Sequence, residues 1–504
     1  MEQREFEEAT QVLDRHIDME EEDAKIARWA WTAAVMCRDE LQDDARTIHY
    51  LNKVLDHDIQ NLEAFRSIDE TLTAQRAWKP LEQNYRKMLS RLQKVNGEVE
   101  NRSALLYMIY KNLGEIYRSR LQNEEYAVSA FELAAQERPT DVRIREILAE
   151  LYEANDESLD KAVHQLRVLL KLQPEERSNY DRLLALYNRL GDADSAWRTA
   201  GLIKFLGRAP DDVVELYEDG LTPGLPHTQN SLNEKLFFET VVSPGQDRQL
   251  GELFFSLFQA AGSSIVYRTQ KDFGLKKKDQ LDLNEKRLVC SAFKAVSKVL
   301  SIPTPEVYIS AQGSGIEILP LSPPVLQVGS DLLQGRSEKE LCFIIAQKLA
   351  YLHRHHIMAG YFTRQELESF FIAIQGVCDP NFRPESVLGE GAAPEVLTGL
   401  ADLQASIEKT ATPKQLEALR QAFAGYASQP RPQSVENWLR EVELSASHAA
   451  ILVADDVELA ARILKDMSAS DSLLSVTERL KDVVLYATSN RYSMLREALG
   501  LTVA

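Results

Sequence analysis

The 504-residue chain has few cysteines, no long apolar run and no excess of positive charge. Its four cysteines include no C-x-x-C pair, which excludes a recognisable zinc knuckle or redox pair and suits a reducing compartment. The longest apolar runs, such as LCFIIA at 341–346, are too short to span a bilayer. A net charge of −19 repels phosphate groups, so we expect neither nucleic acid as a partner nor insertion into a membrane.

Apolar residues make up 44% of the chain and are spread along it, which indicates a folded protein with more than one core. At about 150 residues per domain, the length predicts two to four domains. The first 25 residues contain ten acidic and three basic residues and no apolar stretch, unlike a secretory signal peptide. We therefore expect a cytoplasmic protein.

The N-terminal half repeats itself at intervals of about 35 residues. Four kinds of landmark keep phase: Leu113, Leu148 and Leu183; Tyr117, Tyr152 and Tyr187; Ala127, Ala162 and Ala196; Pro139, Pro174 and Pro210. Each unit contains two helical apolar patterns, and its proline ends the second helix. The pattern resembles the tetratricopeptide repeat (TPR), a helix–turn–helix unit of about 34 residues. About five helical pairs are expected over residues 20–210, with a plain helical bundle as the alternative.

The resemblance implies a solenoid with a concave groove that binds a peptide, helix or loop of a protein partner. The residues expected to face this groove are Lys111, Glu115, Arg118, Glu146, Glu150, Glu153, Asp181 and Asn188. TPRs that grip acidic chaperone tails use a Lys/Asn/Arg clamp, whereas carboxylates dominate here. A partly basic partner is therefore expected; the alternative is that these side chains form solvated helix faces.

The pattern changes after about residue 210, where Pro, Gly and polar residues indicate a linker. We predict a solenoid over 1–215, a linker over 216–249 and a second domain over 250–504. The second domain is expected to contain helices and three short strands, EVYIS, GIEIL and VLQVG, which begin at residues 306, 315 and 325. A helix through 340–356 should follow, introduced by an S-x-x-E capping box at Ser337.

The predicted helix ELCFIIAQKLAYLHRHH has the apolar frame of a zinc-peptidase helix, and the order of helix, strands and helix fits as well. It resembles metallopeptidases of the HtpX and BepA kind, in which H-E-x-x-H supplies two zinc ligands and a general base. Here Gln347, Lys348 and Tyr351 stand at those three positions, and Glu443 stands at the position of the third ligand. The resemblance, over about 250–465, implies a peptidase fold without peptidase activity.

An alternative metal site uses His353, His356 and Glu443, because the two histidines would share a helix face at a spacing of three. They would then belong to an active metallohydrolase; the other interpretation is a solvated helix end. The basic stretch 268–278 is either a contact for an acidic partner, including the acidic N-terminus of a second copy, or a solvated loop.

The function expected from the sequence is a non-catalytic protein–protein interaction scaffold or assembly subunit within a multiprotein complex. The fold class is mostly α, with a TPR-like α-solenoid followed by an α+β pseudo-metallopeptidase domain. No cofactor is expected, since the sequence contains no G-x-S-x-G, P-loop or G-x-G-x-x-G motif. The resemblance points to bacterial proteins that join TPRs to a peptidase-like domain, although BepA-type proteins have the reverse domain order.

Overall fold

Helices form most of the chain, and three short strands form one small sheet. The computed structural model describes residues 2–95, 99–266, 268–310, 313–389, 392–467 and 472–503. Its contacts divide the chain into two compact units, Met1–Leu172 and Gln173–Ala504. The predicted fold class, mostly α with TPR-like helical pairs and a small sheet, is confirmed.

In the first unit each helix packs on the next one along the chain, as in stacked repeats. The helices are α1 (Glu2–Met19), α2 (Asp23–Asp39), α3 (Asp44–His57), α4 (Leu62–Ala74), α5 (Trp78–Lys94), α6 (Arg102–Ile116), α7 (Glu124–Glu137), α8 (Val142–Glu153) and α9 (Leu159–Leu172). A π-helical turn, Tyr117–Leu121, extends α6. The pairs α2/α3, α4/α5, α6/α7 and α8/α9 are the predicted helical repeats.

The landmark residues recur at a constant spacing because they pack between the helices of each repeat. All nine landmark leucines, tyrosines and alanines are buried. Gly114 of α6 lies so close to α7 that a Cβ there would be 2.7 Å from the ring of Phe131. The helix α7 ends at Glu137, two residues before Pro139, as expected from a residue that cannot continue a helix.

The second unit begins with a fifth helical pair and continues through the sheet into a helical core. Its helices before the sheet are α10 (Arg177–Leu190), α11 (Ala193–Leu206), α12 (Asp211–Asp219), α13 (Glu234–Leu236), α14 (Arg248–Ile265) and α15 (Leu288–Leu300). Those after it are α16 (Glu338–Ala350), α17 (Ile357–Tyr361), α18 (Arg364–Cys378), α19 (Glu385–Leu388), α20 (Pro394–Thr410), α21 (Pro413–Ala427), α22 (Val435–Ala454), α23 (Val457–Asp466), α24 (Val476–Ala487) and α25 (Asn490–Leu499).

The sheet contains β1 (Glu306–Ser310), β2 (Ile316–Leu319) and β3 (Val325–Gly329) in the order β1-β3-β2. Strand β3 pairs in parallel with β1 and antiparallel with β2. The three strands predicted from the sequence are confirmed, with β2 beginning one residue later. The helix α16 packs between α15 and α22, and its Ser337 capping box is present.

Two features of the structure concern the predicted linker and domain boundaries. The predicted linker 216–249 contains the end of α12, α13 and a π-helical turn, Phe237–Val241, and Phe237 is buried in the main core of the second unit. Along the chain, the boundary between the two compact units falls between Leu172 and Gln173, because α10–α12 belong by their contacts to the second unit. The domain boundaries at 215 and 250 stay a prediction.

Candidate functional site

The predicted groove residues of the first unit lie on the first helices of two neighbouring pairs. Arg118, in the turn that extends α6, forms ion pairs with Glu115 at 3.1 Å and with Glu150 of α8 at 3.8 Å. The side chains of all three are between about a third and a half exposed. The structure therefore brings this part of the predicted set together on one accessible surface that spans α6 and α8.

The remaining groove residues of this unit continue the same acidic character. Glu146 of α8 pairs with Arg143 at 3.3 Å, and the ammonium group of Lys111 lies 5.9 Å from the ring centroid of Tyr107. Together with Glu153, the six predicted residues in this unit comprise two cations and four carboxylates, an excess of two negative charges. Exposed pairs of this kind are weak, so they can exchange with the charges of a partner at little cost.

A cavity of about 570 Å³ opens beside this surface, between α4, α5 and α6. Its walls combine apolar, acidic and amide side chains: Leu62, Phe65, Val99, Ala104, Leu105 and Met108 with Asp69, Glu100, Asn101 and Asn112, and with Gln60, Arg66 and Tyr85. Met108 precedes Lys111 by three residues on α6, so the cavity lies one helical turn from the predicted groove residues.

Hydrogen bonds fix the polar floor of this cavity. Asn112 donates to the hydroxyl of Tyr85 at 2.9 Å, and that hydroxyl donates to Asp69 at 2.7 Å. Burial and the Asp69 carboxylate both raise the pKa of Tyr85, which stays protonated at neutral pH. Phe65 packs edge-on against the Tyr85 ring at 5.0 Å. Sequence reasoning missed this cavity, because the exposure of Leu62 at the start of α4 is visible only in the structure.

A second opening in the same unit is also acidic. A cavity of about 650 Å³ lies between α2, α3 and α4, and its walls include three carboxylates, Asp23, Asp58 and Glu63, and one arginine, Arg28, beside Trp31 and His57. An aromatic ring among carboxylates suits a cation with an apolar stem, such as the side chain of lysine or arginine. Both cavities thus match the chemistry of a partly basic segment.

Asp181 and Asn188, the last two predicted groove residues, lie on α10 in the second unit. Both are exposed, and Asp181 pairs with Arg177 at 2.9 Å. Their place in a groove stays a prediction.

The vestigial peptidase positions lie on α16 and α22, which pack against each other. Gln347 is buried on α16, and Tyr351 caps the end of that helix. Glu443 is buried on α22 and accepts a hydrogen bond from the Ser472 hydroxyl. Burial raises the pKa of Glu443, while the Ser472 hydrogen bond and nearby positive charges, including Lys348, oppose that rise.

These four residues do not fit a zinc ion. A cation at Lys348 lies close enough to Glu443 to influence its pKa, where a peptidase needs a general base. An amide and a phenol replace the two imidazoles, and Glu443 already binds the Leu473 N–H at 3.3 Å and faces Arg479 at 3.8 Å. Within the described ranges, no group of three His, Cys, Asp or Glu side chains is placed to hold a metal ion.

The displaced metal site is not assembled, because α16 ends at Ala350 rather than 356. The histidines follow in turns, and His356 Nδ1 donates to the Ala350 carbonyl at 3.2 Å. Its Nε2 then accepts from the Gln246 amide at 3.0 Å, since a neutral imidazole has one proton to donate. The carboxylate oxygens of Glu443 contact Ser472, the Leu473 N–H and Arg479 instead. The predicted continuous helix through residue 356 is therefore wrong, although the rings of His353 and His356 lie with their centroids 5.7 Å apart.

The alternative of a solvated helix end is wrong as well. His355 and His356 are buried, and His353 stacks on Phe237 with ring centroids 4.1 Å apart. Phe238 contacts both His353 and His355 edge-on. Burial lowers the pKa of all three, to about 2 for His353, about 3 for His355 and about 4 for His356. The histidines form a neutral, aromatic part of the interior.

No helix in the described parts of the chain has the length and apolar character that crossing a bilayer would require.

Comparison with known proteins gives matches to solved TPR structures at low similarity. MamA 41-end from Desulfovibrio magneticus RS-1 is 18% identical over 37% of this chain and 97% of its own length, with a TM-score of 0.24. YrrB, titled a TPR protein with an unusual peptide-binding site, is 17% identical over 42% of this chain and 100% of its own, with a TM-score of 0.25.

A longer match, to the structure of Naa15/Naa10 bound to HypK-THB, covers 87% of this chain and 61% of that one at 15% identity and a TM-score of 0.25. No family model matches, and no curated protein does either. At such TM-scores the matches carry no argument about function, and the TPR-like description depends on this chain's own helical pairs.

Proposed function

We propose that the chain is a non-catalytic protein-interaction scaffold whose first unit binds a partly basic segment of a protein partner. The observation that carries the proposal is the cavity between α4, α5 and α6. It offers apolar walls at Leu62, Phe65 and Met108 together with carboxylates at Asp69 and Glu100. A segment with a large apolar side chain next to a lysine or arginine fits this cavity. The apolar side chain is buried against the apolar walls, and the cation pairs with the carboxylates.

The predicted groove residues extend the same site. The acidic surface around Glu115 and Glu150 lies next to the cavity on α6 and α8, and its single bridging cation, Arg118, is already shared between those two carboxylates. A bound segment would therefore meet apolar contacts in the cavity and negative charge along α8. We place the scaffold within a multiprotein complex; a cytoplasmic location and a bacterial source stay predictions.

Filling the cavity tests this function. Peptides selected from a random library on the full-length chain are expected to combine Lys or Arg with a large apolar residue. Ala104→Trp fills the cavity from its exposed rim and should weaken binding of those peptides about tenfold, since about 1.4 kcal/mol of contact is lost. Fluorescence anisotropy gives the Kd.

Ala45→Trp, on the exposed side of α3, is the matched control and should leave the Kd within about twofold. Selection of mainly acidic peptides, or equal Kd values for the two variants, would contradict the proposed site. Unchanged thermal unfolding of both variants shows that the fold is intact.

We further propose that the second unit is a vestigial peptidase module retained for binding or for structure. The support is the packing of α16 on α22, which brings Lys348, Tyr351 and Glu443 near one another as the peptidase resemblance requires. With a cation at the position of the general base, no water is activated there.

The purified full-length chain, supplied with zinc and then dialysed, is expected to retain well below one zinc per chain. It should also leave unfolded casein intact over hours. Zinc that stays bound at one per chain and is lost in His356→Ala would favour a metallohydrolase instead, and so would zinc-dependent cleavage of casein. Lys348→Glu should be tested beside it. This change restores a carboxylate at the position of the general base without the two imidazole ligands, so it should not restore cleavage of casein.

A further inference from the structure

The second unit presents a basic loop, residues 268–278, on a chain of net charge −19. Its five cations are all exposed: Arg268, Lys271, Lys276, Lys277 and Lys278. Asp272 is the only carboxylate within the loop, and it accepts hydrogen bonds from the N–H and hydroxyl of Thr269. Arg268 lies 5.6 Å from the ring centroid of Phe273. Among the described residues, none of the four lysines lies within 4 Å of a carboxylate oxygen, so their charges are available to a partner.

The basic loop is anchored by its apolar residues. Phe273 and Leu275 pack against a small buried cluster formed by Tyr308, Leu319, Leu321 and Val325. The Leu275 N–H donates to the Gln270 carbonyl at 3.0 Å, which closes the loop on itself. Gly274 has a φ of +63°, a left-handed conformation that favours glycine at this turn. The backbone that carries the cations at the two ends of the loop is therefore held in place by these contacts.

The chain just after the loop covers the free edge of the sheet. Strand β1 is an edge strand, and Gln280 forms an antiparallel bridge with Tyr308 on its open side. The Leu281 N–H donates to the Val307 carbonyl at 2.8 Å. This pairing protects the edge and fixes the three consecutive lysines that precede it. An ordered loop loses less conformational entropy when it binds, so its charges are prepared for recognition.

We propose that the basic loop is a second interaction surface, which binds an acidic segment of a partner protein. Its charge is opposite to that of the groove in the first unit, so the two surfaces select different segments. A protein segment is favoured over nucleic acid because the loop offers no set of open aromatic rings for base stacking. Phe273, its one aromatic residue, is partly buried against the cluster beneath the loop, and Arg268 lies 5.6 Å from its ring centroid.

The probe is a fluorescein-labelled poly-glutamate peptide, titrated with the full-length chain at about 50 mM salt, where unscreened charges act over the longest range. Binding is expected, and the triple variant Lys276→Glu, Lys277→Glu, Lys278→Glu should weaken it at least about tenfold. The control triple variant Lys409→Glu, Lys414→Glu, Lys465→Glu changes exposed lysines elsewhere in the same unit and alters the net charge equally. It should stay within about threefold of the unmodified chain.

Equal weakening by the two triple variants would overturn the proposal, because net charge alone would then explain binding. No binding of poly-glutamate by the unmodified chain would overturn it too. Tighter binding of a single-stranded oligonucleotide of equal charge, lost in the Lys276–Lys278 variant, would assign the loop to nucleic acid instead. Ala104→Trp should leave poly-glutamate binding unchanged, which separates this surface from the cavity of the first unit.

Discussion

Arg496→Met is expected to lower the free energy of unfolding of the second unit by about 3–5 kcal/mol, because it removes a fully buried cation that two carboxylates share. Arg496 has no exposed surface. Its guanidinium pairs with Asp194 at 2.8 Å and with Asp455, and donates to the Leu501 carbonyl at 2.6 Å. It also lies 5.1 Å from the ring centroid of Trp197.

The pKa shifts of Asp194 and Arg496 follow from this contact. Burial alone would raise the pKa of Asp194, yet the hydrogen bond and charge of Arg496 hold that pKa below its ordinary value. Burial opposes the charge on Arg496 as well, but the carboxylates of Asp455 and Asp194 raise its pKa. Removing the cation leaves Asp194 with Arg198, at 2.9 Å, as its remaining buried partner, and leaves Asp455, whose side chain is partly buried, without its arginine.

Urea unfolding of the full-length chain, followed by hydrogen exchange in α11 and α25, measures the effect within the second unit. Arg462→Met is the matched control: this exposed arginine pairs with Glu340 at 3.3 Å, and its loss should cost under about 1 kcal/mol. The double variant Arg496→Met, Asp194→Asn should be less destabilised than the sum of its single changes. A loss below about 1 kcal/mol for Arg496→Met would show that the network is not a structural requirement.

The helical repeats were predictable because each landmark follows from a local packing need. Leu113 and Tyr117 are one turn apart and both face the interior, and Gly114 between them admits the ring of Phe131. The strands and the Ser337 capping box were predictable for the same reason, since short-range spacing decides them.

Features that depend on distant residues could not be predicted. The helix α16 has an apolar pattern that continues past Ala350, yet it ends there, and His356, which accepts from the distant Gln246, binds the last carbonyl. The cavity of the first unit requires the spacing of three helices, which no sequence window contains. Likewise, Asp194 and Arg496 are 302 residues apart, and nothing local links them.

The candidate site was predictable in its charge and not in its shape. The sequence placed Arg118, Glu115 and Glu150 on one surface, and their ion pairs agree with that placement. The apolar residues that give a partner something to bury, Leu62 and Met108, have nothing in their local sequence that separates them from other apolar helix positions. Charge follows from residue type alone, whereas a cavity follows from what neighbouring helices leave unfilled.

Acid should destabilise the second unit strongly below pH 6.5, because it holds three neutral histidines inside. Burial lowers the pKa of His356 from 6.5 to about 4 in the folded chain, against the opposing effect of its hydrogen bond to the Ala350 carbonyl. The unfolded chain therefore binds more protons between those values, and this contribution to stability is complete above pH 6.5 and lost as the pH falls towards 4. At about 1.4 kcal/mol per pH unit, the loss for this fully buried ring is about 3 kcal/mol.

His353→Phe isolates the effect. Burial, helped by the neighbouring His356 and His355, lowers the pKa of His353 to about 2, and its Nδ1 has no hydrogen-bond partner among the described residues. Phenylalanine keeps the stacking on Phe237 and removes that unpaired nitrogen, so stability at pH 7 should hold or rise. Between pH 6.5 and 4.5 the variant should lose about 2 kcal/mol less than the unmodified chain.

The charged groups around the three histidines do not change the direction of their pKa shifts. Glu252 lies 3.6 Å from His355 Nδ1 and would favour its protonated form, but that carboxylate is half exposed and the distance is too long for a hydrogen bond. Arg354 acts in the same direction as burial for both His353 and His355. The net shift is therefore downward for each ring.

Urea unfolding at intervals between pH 7 and pH 4.5 gives the free energy against pH for the unmodified chain, for His353→Phe and for His227→Phe. His227 is exposed in the same unit, so its replacement removes one histidine without touching the buried cluster. The His227→Phe curve should run parallel to that of the unmodified chain, while the His353→Phe curve is flatter. Three parallel curves would mean that carboxylates, and not the buried histidines, govern the acid sensitivity of this unit.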